Sequence, residues 1–442
     1  MRLDITDFSK NSLVDFYIES DLYYQKYIEM INSAKVCIHL QTYIFEMDHF
    51  GQKVFKALIQ ASKRKVKIFL LVDGFGSKNF KKNDIIQLKS AGVHFAKFNQ
   101  ISINWLSQWG RRLHHKVLIV DNEQAFVGGI NVLSTYLSGL TKAPNLDFAV
   151  HVKGLSVKRL TLYCQETFRK TEKYKFPFKK IIRIKNFSSF LSTPIMISIN
   201  DWVYLRRQIA QRYKILVEQS KEEIIIINSY FFPNREFLNL LILAKKRGVA
   251  VKLILPMYSD WPSYVFATQY LYGMLLKNGI EIYQWKNSIL HGKLILADQT
   301  WSSIGSFNLN YTSFQHNLEI NVDVFSKKFS QGLQKYIHQI IKHDCEKIEK
   351  MTFSRNTTFS QKMKRLFYYL IIKTITNFSE GMIFQEDKDM HRSFKLLILT
   401  LPYICIIIGL IGIFFPKFPN IVFFILGLTI VFQRMTLSSP KI

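Results

Sequence analysis

The apolar positions of this chain switch repeatedly between continuous runs and the three-and-four spacing of an amphipathic helix. In the first half, AKVCIHLQTYIF (34–45) is a β-branched run, and a helical pattern then leads into a second run, ASKRKVKIFLLVD (61–73). A third, SAGVHFAKF (90–98), follows another helical stretch. The second half repeats the order with EEIIIINSYFF (222–232), AKKRGVAVKLILP (244–256) and KNGIEIYQW (277–285). Ala61 aligns with Ala244 at an offset of 183, and Gly92 with Gly279 at 187. Each half therefore reads strand, helix, strand, helix, strand. Short strands alternating with helices indicate βαβ units and a mixed or parallel sheet covered by helices. The pattern predicts an α/β fold of two repeats packed about a pseudo-twofold axis.

Two later segments break this rhythm. Leu396 to Phe415 is a 20-residue stretch without a charge, followed by PKFPN (416–420) and a second apolar stretch, Ile421 to Phe432. The first is long enough to cross a hydrocarbon core of about 30 Å, so a membrane helical hairpin is expected, with a buried helical pair as the alternative. Arg392, Lys395, Arg434 and Lys441 flank the hairpin against Lys417 in its turn, which puts both flanks in the cytoplasm. Upstream, Lys362, Lys364, Arg365 and Lys373 surround LFYYLII, a mixture that suits a helix in the headgroup region or a solvated basic face. The N-terminal segment carries early acids and no uninterrupted apolar run, so no cleavable signal peptide is expected.

At 442 residues the chain suits two or three domains. The predicted order is a first repeat at 1–168, a linker at 169–194, a second repeat at 195–345, an interfacial region at 346–390 and the hairpin at 391–442. The linker holds eight Lys or Arg against one acid in 169–185, as a solvated loop or a contact with anionic lipid would. Composition adds a net charge of +28 alongside 48% hydrophobic residues, which excludes a disordered basic tail and implies an anionic partner: nucleic acid, an anionic bilayer or a phosphorylated substrate. Cys37, Cys164, Cys345 and Cys405 lie far apart, against a disulfide framework or zinc site.

The chemistry lies in a duplicated motif. LHHKVLIVDNEQAFVGGIN places His114, Lys116, Asp121, Gly128, Gly129 and Asn131, and LHGKLILADQTWSSIGSFN places His291, Lys293, Asp298, Gly305, Ser306 and Asn308 at identical intervals, offset by 177. In a strand, alternation puts His114 with Lys116, and His291 with Lys293, on one face, with Val117, Ile119, Leu294 and Leu296 on the other. Asp121 and Asp298 fall at the opposite parity, at strand ends, and are assigned to fixing the local fold within the motif. Gly129 and Ser306 allow close backbone approach and Asn131 and Asn308 offer amides, so that two ammoniums and two amides form an oxyanion pocket for phosphate. The motif has no carboxylate cluster at metal-ligand spacing, and neither metal nor cofactor is expected.

Displacement at phosphorus runs in line, so two imidazoles suit its two apices, one attacking and the other moving the proton. With ordinary pKa values near 6.5, one ring would start neutral and the other protonated. Asp147 in NLDFAV and Glu319 in NLEINV, 26 and 21 residues beyond Asp121 and Asp298, are candidates to orient the rings, or are surface acids ending strands. An aromatic insertion, NQISINWLSQWGRR (99–112), present in the first half alone, is a candidate lip of the site.

With HxKxxxxD followed by GGxN or GSxN in both halves, the chain resembles the phospholipase D superfamily. More narrowly, it is similar to bacterial cardiolipin synthases of the type lacking an N-terminal membrane anchor, from about Leu13 to Gln339, including GFGS (74–77) and INSYFFPN (227–234). The resemblance implies two phospholipase D-like α/β/α repeats and a phosphatidyl transfer, in which phosphatidylglycerol is joined to a second phospholipid and glycerol is released. It further implies His114 as nucleophile and His291 as acid and base. The chain departs from the pattern at ESDLYY (19–24), where a glycine is expected, and at FNLN (307–310), where an aspartate commonly ends the run. Hydrolysis by the same site, a nuclease-type phosphodiesterase and a non-enzymatic lipid tether remain the alternatives. The apolar C-terminus favours anionic phospholipid and membrane over nucleic acid as partner.

Overall fold

The expected strand–helix alternation is the backbone plan of the protein in a computed structural model that describes residues 12–18, 20–99, 111–141, 143–172, 193–201 and 206–383. The first lobe runs β1 (Ser12–Tyr17), α1 (Ser20–Ser33), β2 (Cys37–Thr42), α2 (His49–Lys63), β3 (Lys67–Asp73), α3 (Lys82–Ser90), β4 (His94–Phe98), β5 (Lys116–Val120), β6 (Gln124–Gly128), β7 (Ala149–Gly154) and α4 (Leu155–Glu172). The second runs β8 (Ile195–Asp201), β9 (Arg206–Arg207), α5 (Gln208–Gln219), β10 (Glu223–Asn228), α6 (Arg235–Lys246), β11 (Ala250–Tyr258), α7 (Pro262–Lys277), β12 (Glu281–Ile289), β13 (Lys293–Ala297), β14 (Trp301–Gly305), α8 (Tyr311–Gln315), β15 (Glu319–Phe325), α9 (Lys327–Asp344) and β16 (Cys345–Lys347), followed by α10 (Lys350–Asn356) and α11 (Phe359–Ile383).

One topology serves both lobes. The first sheet has the order β1-β7-β6-β5-β2-β3-β4, and the second repeats it as β8-β15-β14-β13-β10-β11-β12, with β9 and β16 added at its edges. β2, β3 and β4 are parallel, as are β10, β11 and β12, whereas the motif strands β5 and β13 run antiparallel to β2 and β10. The sheets are thus mixed.

Strand parity assigns the two faces. Val117, Ile119, Leu294 and Leu296 share one buried cluster with Val150, Val152, Val322 and Val324, so the inner faces of the two sheets meet in a common core, with residues of α4 and α9 completing it. Leu118 and Val120 turn the other way, into a cluster with α1 and α2. Both faces of the motif strands are buried, which is why they read as continuous apolar runs.

Asp121 and Asp298 close the turns after β5 and β13 in the left-handed region, with φ of 55° and 49°, a conformation aspartate tolerates better than most residues. Asp121 accepts from the backbone N–H of Lys35, Val36 and Cys37, and Asp298 from those of Lys221, Glu222 and Glu223. Each aspartate pins its hairpin to the start of the neighbouring strand. Asn310, standing at the departure in FNLN, caps α8 by accepting from Ser313 N at 3.0 Å.

The first compact unit ends at Leu370. Its last element, the start of α11, rests on α7: Tyr369 stacks on Tyr270 at 4.3 Å and Tyr368 on Phe266 at 5.5 Å, while Arg365 Nε donates to Gln269 Oε1. Two of the expected headgroup-facing residues of LFYYLII are therefore turned inward. The exposed apolar side chains are instead Phe359, Met363, Phe367 and Leu370, one stripe at helical spacing. The second unit begins at Ile371, and its described part is the remainder of α11 to Ile383. Among the described residues no helix is long and apolar enough to cross a membrane. The expected hairpin, most of the linker (173–192) and the centre of the aromatic lip (100–110) lie outside the described residues.

Candidate active site

The motif histidines sit just before β5 and β13, where each lobe's backbone bonds to the other's. His114 N donates to Leu318 O at 3.0 Å, and Leu318 N donates to Arg112 O at 2.9 Å. The counterpart joins His291 N to Leu146 O at 2.8 Å and Leu146 N to Ile289 O at 3.0 Å. The residues after Leu318 and Leu146 are Glu319 and Asp147. Each histidine is consequently delivered to a carboxylate of the opposite lobe: His114 Nδ1 lies 2.9 Å from Glu319 Oε2, and His291 Nδ1 lies 2.7 Å from Asp147 Oδ2.

The two rings differ in what surrounds Nδ1. Around His114 Nδ1 stand two acceptors, Glu319 Oε2 and the carbonyl of Ser306 at 3.0 Å. That nitrogen must donate, which leaves the lone pair of the neutral ring on Nε2. Around His291 Nδ1 stand Asp147, the Tyr136 hydroxyl at 3.1 Å and the Lys293 ammonium at 3.0 Å. A proton on this ring has donors as well as an acceptor beside it, so its placement is less constrained.

The lysines occupy equivalent register positions, Lys116 opposite Thr42 and Lys293 opposite Asn228, yet their neighbours differ. Lys116 Nζ donates to His114 O at 2.9 Å and lies 5.3 Å from the Tyr43 ring centroid. Lys293 Nζ donates to Ser229 Oγ at 3.0 Å and also bonds His291 O. Each lysine feels both Asp147 and Glu319, and Lys293 also acts on His114, so the charges of the two lobes form one cluster.

Burial dominates the titration here. It holds His114 down at about 4 against the pull of Glu319, with Lys116 adding to the depression. His291 is likewise lowered by burial and then by Lys293, against Asp147. Lys116 is brought down to about 7 by burial, and Lys293 is lowered for the same reason. The expectation of one neutral and one protonated ring is corrected: both rings are held toward the neutral form at pH 7, because loss of solvent outweighs the carboxylates that face them, Glu319 for His114 and Asp147 with Asp260 for His291. An arriving phosphodiester brings the negative charge that favours a proton on one of them.

The remaining motif residues divide in ways their spacing does not reveal. Gly129 and Ser306, expected beside phosphate, stand against the carboxylates. A Cβ on Gly129 would lie 2.1 Å from Asp147 Oδ1, and Ser306 Oγ donates to Glu319 Oε2. Glu319 is fully buried and also accepts from Ser313 Oγ at 2.6 Å and Asn317 Nδ2 at 3.0 Å. The amide oxygens of Asn131 and Asn308 accept from Ile44 N and Ser229 Oγ. Asp121 and Asp298 give their carboxylates to backbone N–H groups at the far ends of the motif strands. Among the described residues no three His, Cys, Asp or Glu side chains group as metal ligands. Tyr136, Ser229 and Tyr43 were not singled out from the sequence. Tyr43 and Ser229 follow equivalent strands, but a ring in one half and a hydroxyl in the other leave no repeated letter to notice.

A family described as cardiolipin synthase, PLD-like domain, matches residues 27–159 and 213–341, one segment in each lobe. The chain is 30% identical over 353 residues to cardiolipin synthase B of Salmonella typhi, covering 79% of this chain and 86% of that protein. It is 28% identical over 376 residues to a cardiolipin synthase of Clostridium perfringens, covering 81% and 76%. Among solved structures, phosphatidylserine synthase of Haemophilus influenzae shares the fold, with a TM-score of 0.62 at 13% identity over 84% of this chain and 94% of that one. With both lobes matched and each carrying one half of the crossed histidine–carboxylate arrangement, the chain belongs to the family of cardiolipin synthase, PLD-like domain proteins.

Proposed function

We propose that this protein is a phosphatidyltransferase that joins phosphatidylglycerol to a second phospholipid, foremost a second phosphatidylglycerol with release of glycerol, through a phosphatidyl-histidine intermediate. The observation that carries the reading is the crossed pairing of His114 with Glu319 and His291 with Asp147, which supplies two oriented imidazoles to one cluster of charge. His114 is the nucleophile in this reading, as the family resemblance implies, and the two acceptors at its Nδ1 support the role. Its Nε2 lone pair attacks phosphorus, a P–N bond forms, and the P–O bond to the glycerol head group breaks. His291, protonated once the anionic lipid is bound, gives its proton to the departing oxygen. In the second step His291 takes the proton of the acceptor hydroxyl, the new P–O bond forms, and the P–N bond to His114 breaks. Lys116, Lys293 and the amides of Asn131 and Asn308 neutralise and orient the non-bridging oxygens.

Membrane attachment is part of the same proposal. Residues 346–390 lie at the headgroup level and 391–442 form a membrane hairpin, with the catalytic repeats (1–168 and 195–345, joined by the linker 169–194) on the cytoplasmic side. Support comes from the exposed stripe Phe359, Met363, Phe367 and Leu370 beside the exposed Lys362, and from the uncharged run 396–415. The test is to incubate the full chain with vesicles of labelled phosphatidylglycerol. Cardiolipin and free glycerol in equal amounts are expected. Phosphatidic acid alone would replace transfer by hydrolysis, and plasmid cleavage without lipid turnover would move the substrate to nucleic acid.

A further inference from the structure

The loop between β11 and α7 places an exposed carboxylate beside the second histidine. Tyr230 Oη donates to Asp260 Oδ1 at 2.6 Å, and Ser259 Oγ donates to the same oxygen at 3.0 Å. Trp261 N donates in turn to Ser259 Oγ at 3.0 Å, so the loop holds the acid by one of its oxygens. Among the described residues Oδ2 has no partner. The Tyr230 ring stands edge-on to the His291 ring, with centroids 6.2 Å apart and an interplanar angle of 87°. Tyr264 packs against Tyr230 at 5.4 Å and Trp261 against Tyr264 at 6.0 Å, forming an aromatic wall. Asp260 also acts electrostatically on His291, on Lys293 and on Tyr43 of the other lobe, so it faces the cleft where the lobes meet.

A carboxylate is a poor neighbour for a phosphodiester. It repels the substrate's charge and accepts nothing from phosphate oxygens, but it does accept from hydroxyls. Since His291 gives a proton to the departing alcohol and takes one from the arriving alcohol, both alcohols pass on its side of the phosphorus. Two adjacent acceptors stand there, the open oxygen of Asp260 and the lone pairs of Tyr230 Oη. We propose that Asp260 and Tyr230 form a head-group subsite that binds the vicinal hydroxyls of a glycerol head group. This rests on the phosphatidyltransfer reading and adds a determinant of specificity to it.

The test compares donors in mixed vesicles: phosphatidylglycerol, phosphatidylpropanol, which lacks both free hydroxyls, and phosphatidylethanolamine. The full-length protein should prefer phosphatidylglycerol over phosphatidylpropanol in kcat/KM by roughly 10- to 100-fold, the range of a hydrogen bond to a charged group. In Asp260→Asn that ratio should collapse toward unity, and in Tyr230→Phe it should move the same way by less. A ratio retained in Asp260→Asn, whatever the absolute rate, would overturn the subsite, as would wild-type preference for the ethanolamine lipid. Wild-type protein that released no glycerol from phosphatidylglycerol would sink the functional reading itself, a different outcome from unchanged selectivity with transfer intact.

Discussion

Replacing Glu319 by Gln separates the charge of the crossed carboxylate from its shape. In the resting site Glu319 accepts from His114, Ser306, Ser313 and Asn317, and His114 Nδ1 stands 2.9 Å from its Oε2. When Nε2 has become bonded to phosphorus, the imidazole carries a positive charge that Glu319 faces. At an effective dielectric of about 20, two charges at that separation of 2.9 Å attract by about 6 kcal/mol, which is a ceiling. Gln keeps an acceptor for Nδ1, and the Ser306 carbonyl at 3.0 Å holds the same tautomer without help. The loss should therefore fall below the ceiling, at about 3–4 kcal/mol, or roughly 10²- to 10³-fold in the first chemical step. The assay is single-turnover release of glycerol from head-group-labelled phosphatidylglycerol, with thermal unfolding followed in parallel. Asp147→Asn should behave differently, because Lys293 and Tyr136 beside His291 can then draw the ring into accepting at Nδ1; its larger defect should appear in proton transfer. A Glu319→Gln loss below about threefold in a folded protein would refute the reasoning.

Other consequences follow from the same geometry. Gly129→Ala should displace Asp147, whose Oδ1 lies 2.1 Å from the added methyl position, and slow turnover by way of His291; rates matching wild type would show that the carboxylate has room to move. kcat/KM should already be falling on the alkaline side by pH 7, because His291 as the acid is held below its ordinary value and Lys116 loses its proton at about 7, and Lys116→Arg should make that fall less steep; a profile flat to pH 9 would contradict this. The acid limb should lie near 4, where protonation of His114 removes its lone pair. Asp121→Ala leaves the N–H groups of Lys35, Val36 and Cys37 without their acceptor and should lower unfolding free energy by about 2–4 kcal/mol in denaturant titrations, with activity per folded molecule retained.

The fold was legible because its two rhythms are local. β-Branched runs and helical spacing marked β2 to β4 and β10 to β12, and the parity of His114, Lys116, His291 and Lys293 followed from strand alternation. The structural place of Asp121 and Asp298 was also readable, since each stands at a strand end out of phase with the histidine. The crossed pairing was not legible. Asp147 and Glu319 follow their motifs by many residues, and only backbone contact between Leu113 and Leu318, and between Leu146 and Leu290, decides which ring each acid meets. The carboxylate beside Gly129 was hidden for a related reason: a glycine at a strand end reads alike whether the space beside it takes a ligand or a carboxylate. The protonation states escaped because they depend on burial, which spacing does not report. Asp260 had no counterpart in the first half to draw attention to it.

The claim on which the mechanism depends is that both imidazoles act on one phosphorus, with His114 attacking. It is tested most directly by mixing His291→Asn protein with phosphorus-labelled phosphatidylglycerol, quenching at alkaline pH, where phosphohistidine survives, and mapping the label by peptide mass spectrometry. The account predicts a phosphatidyl adduct on His114 that accumulates because its second step is slow, and no adduct in His114→Asn. An adduct on His291 in the His114→Asn protein, or turnover undiminished in either variant, would contradict it.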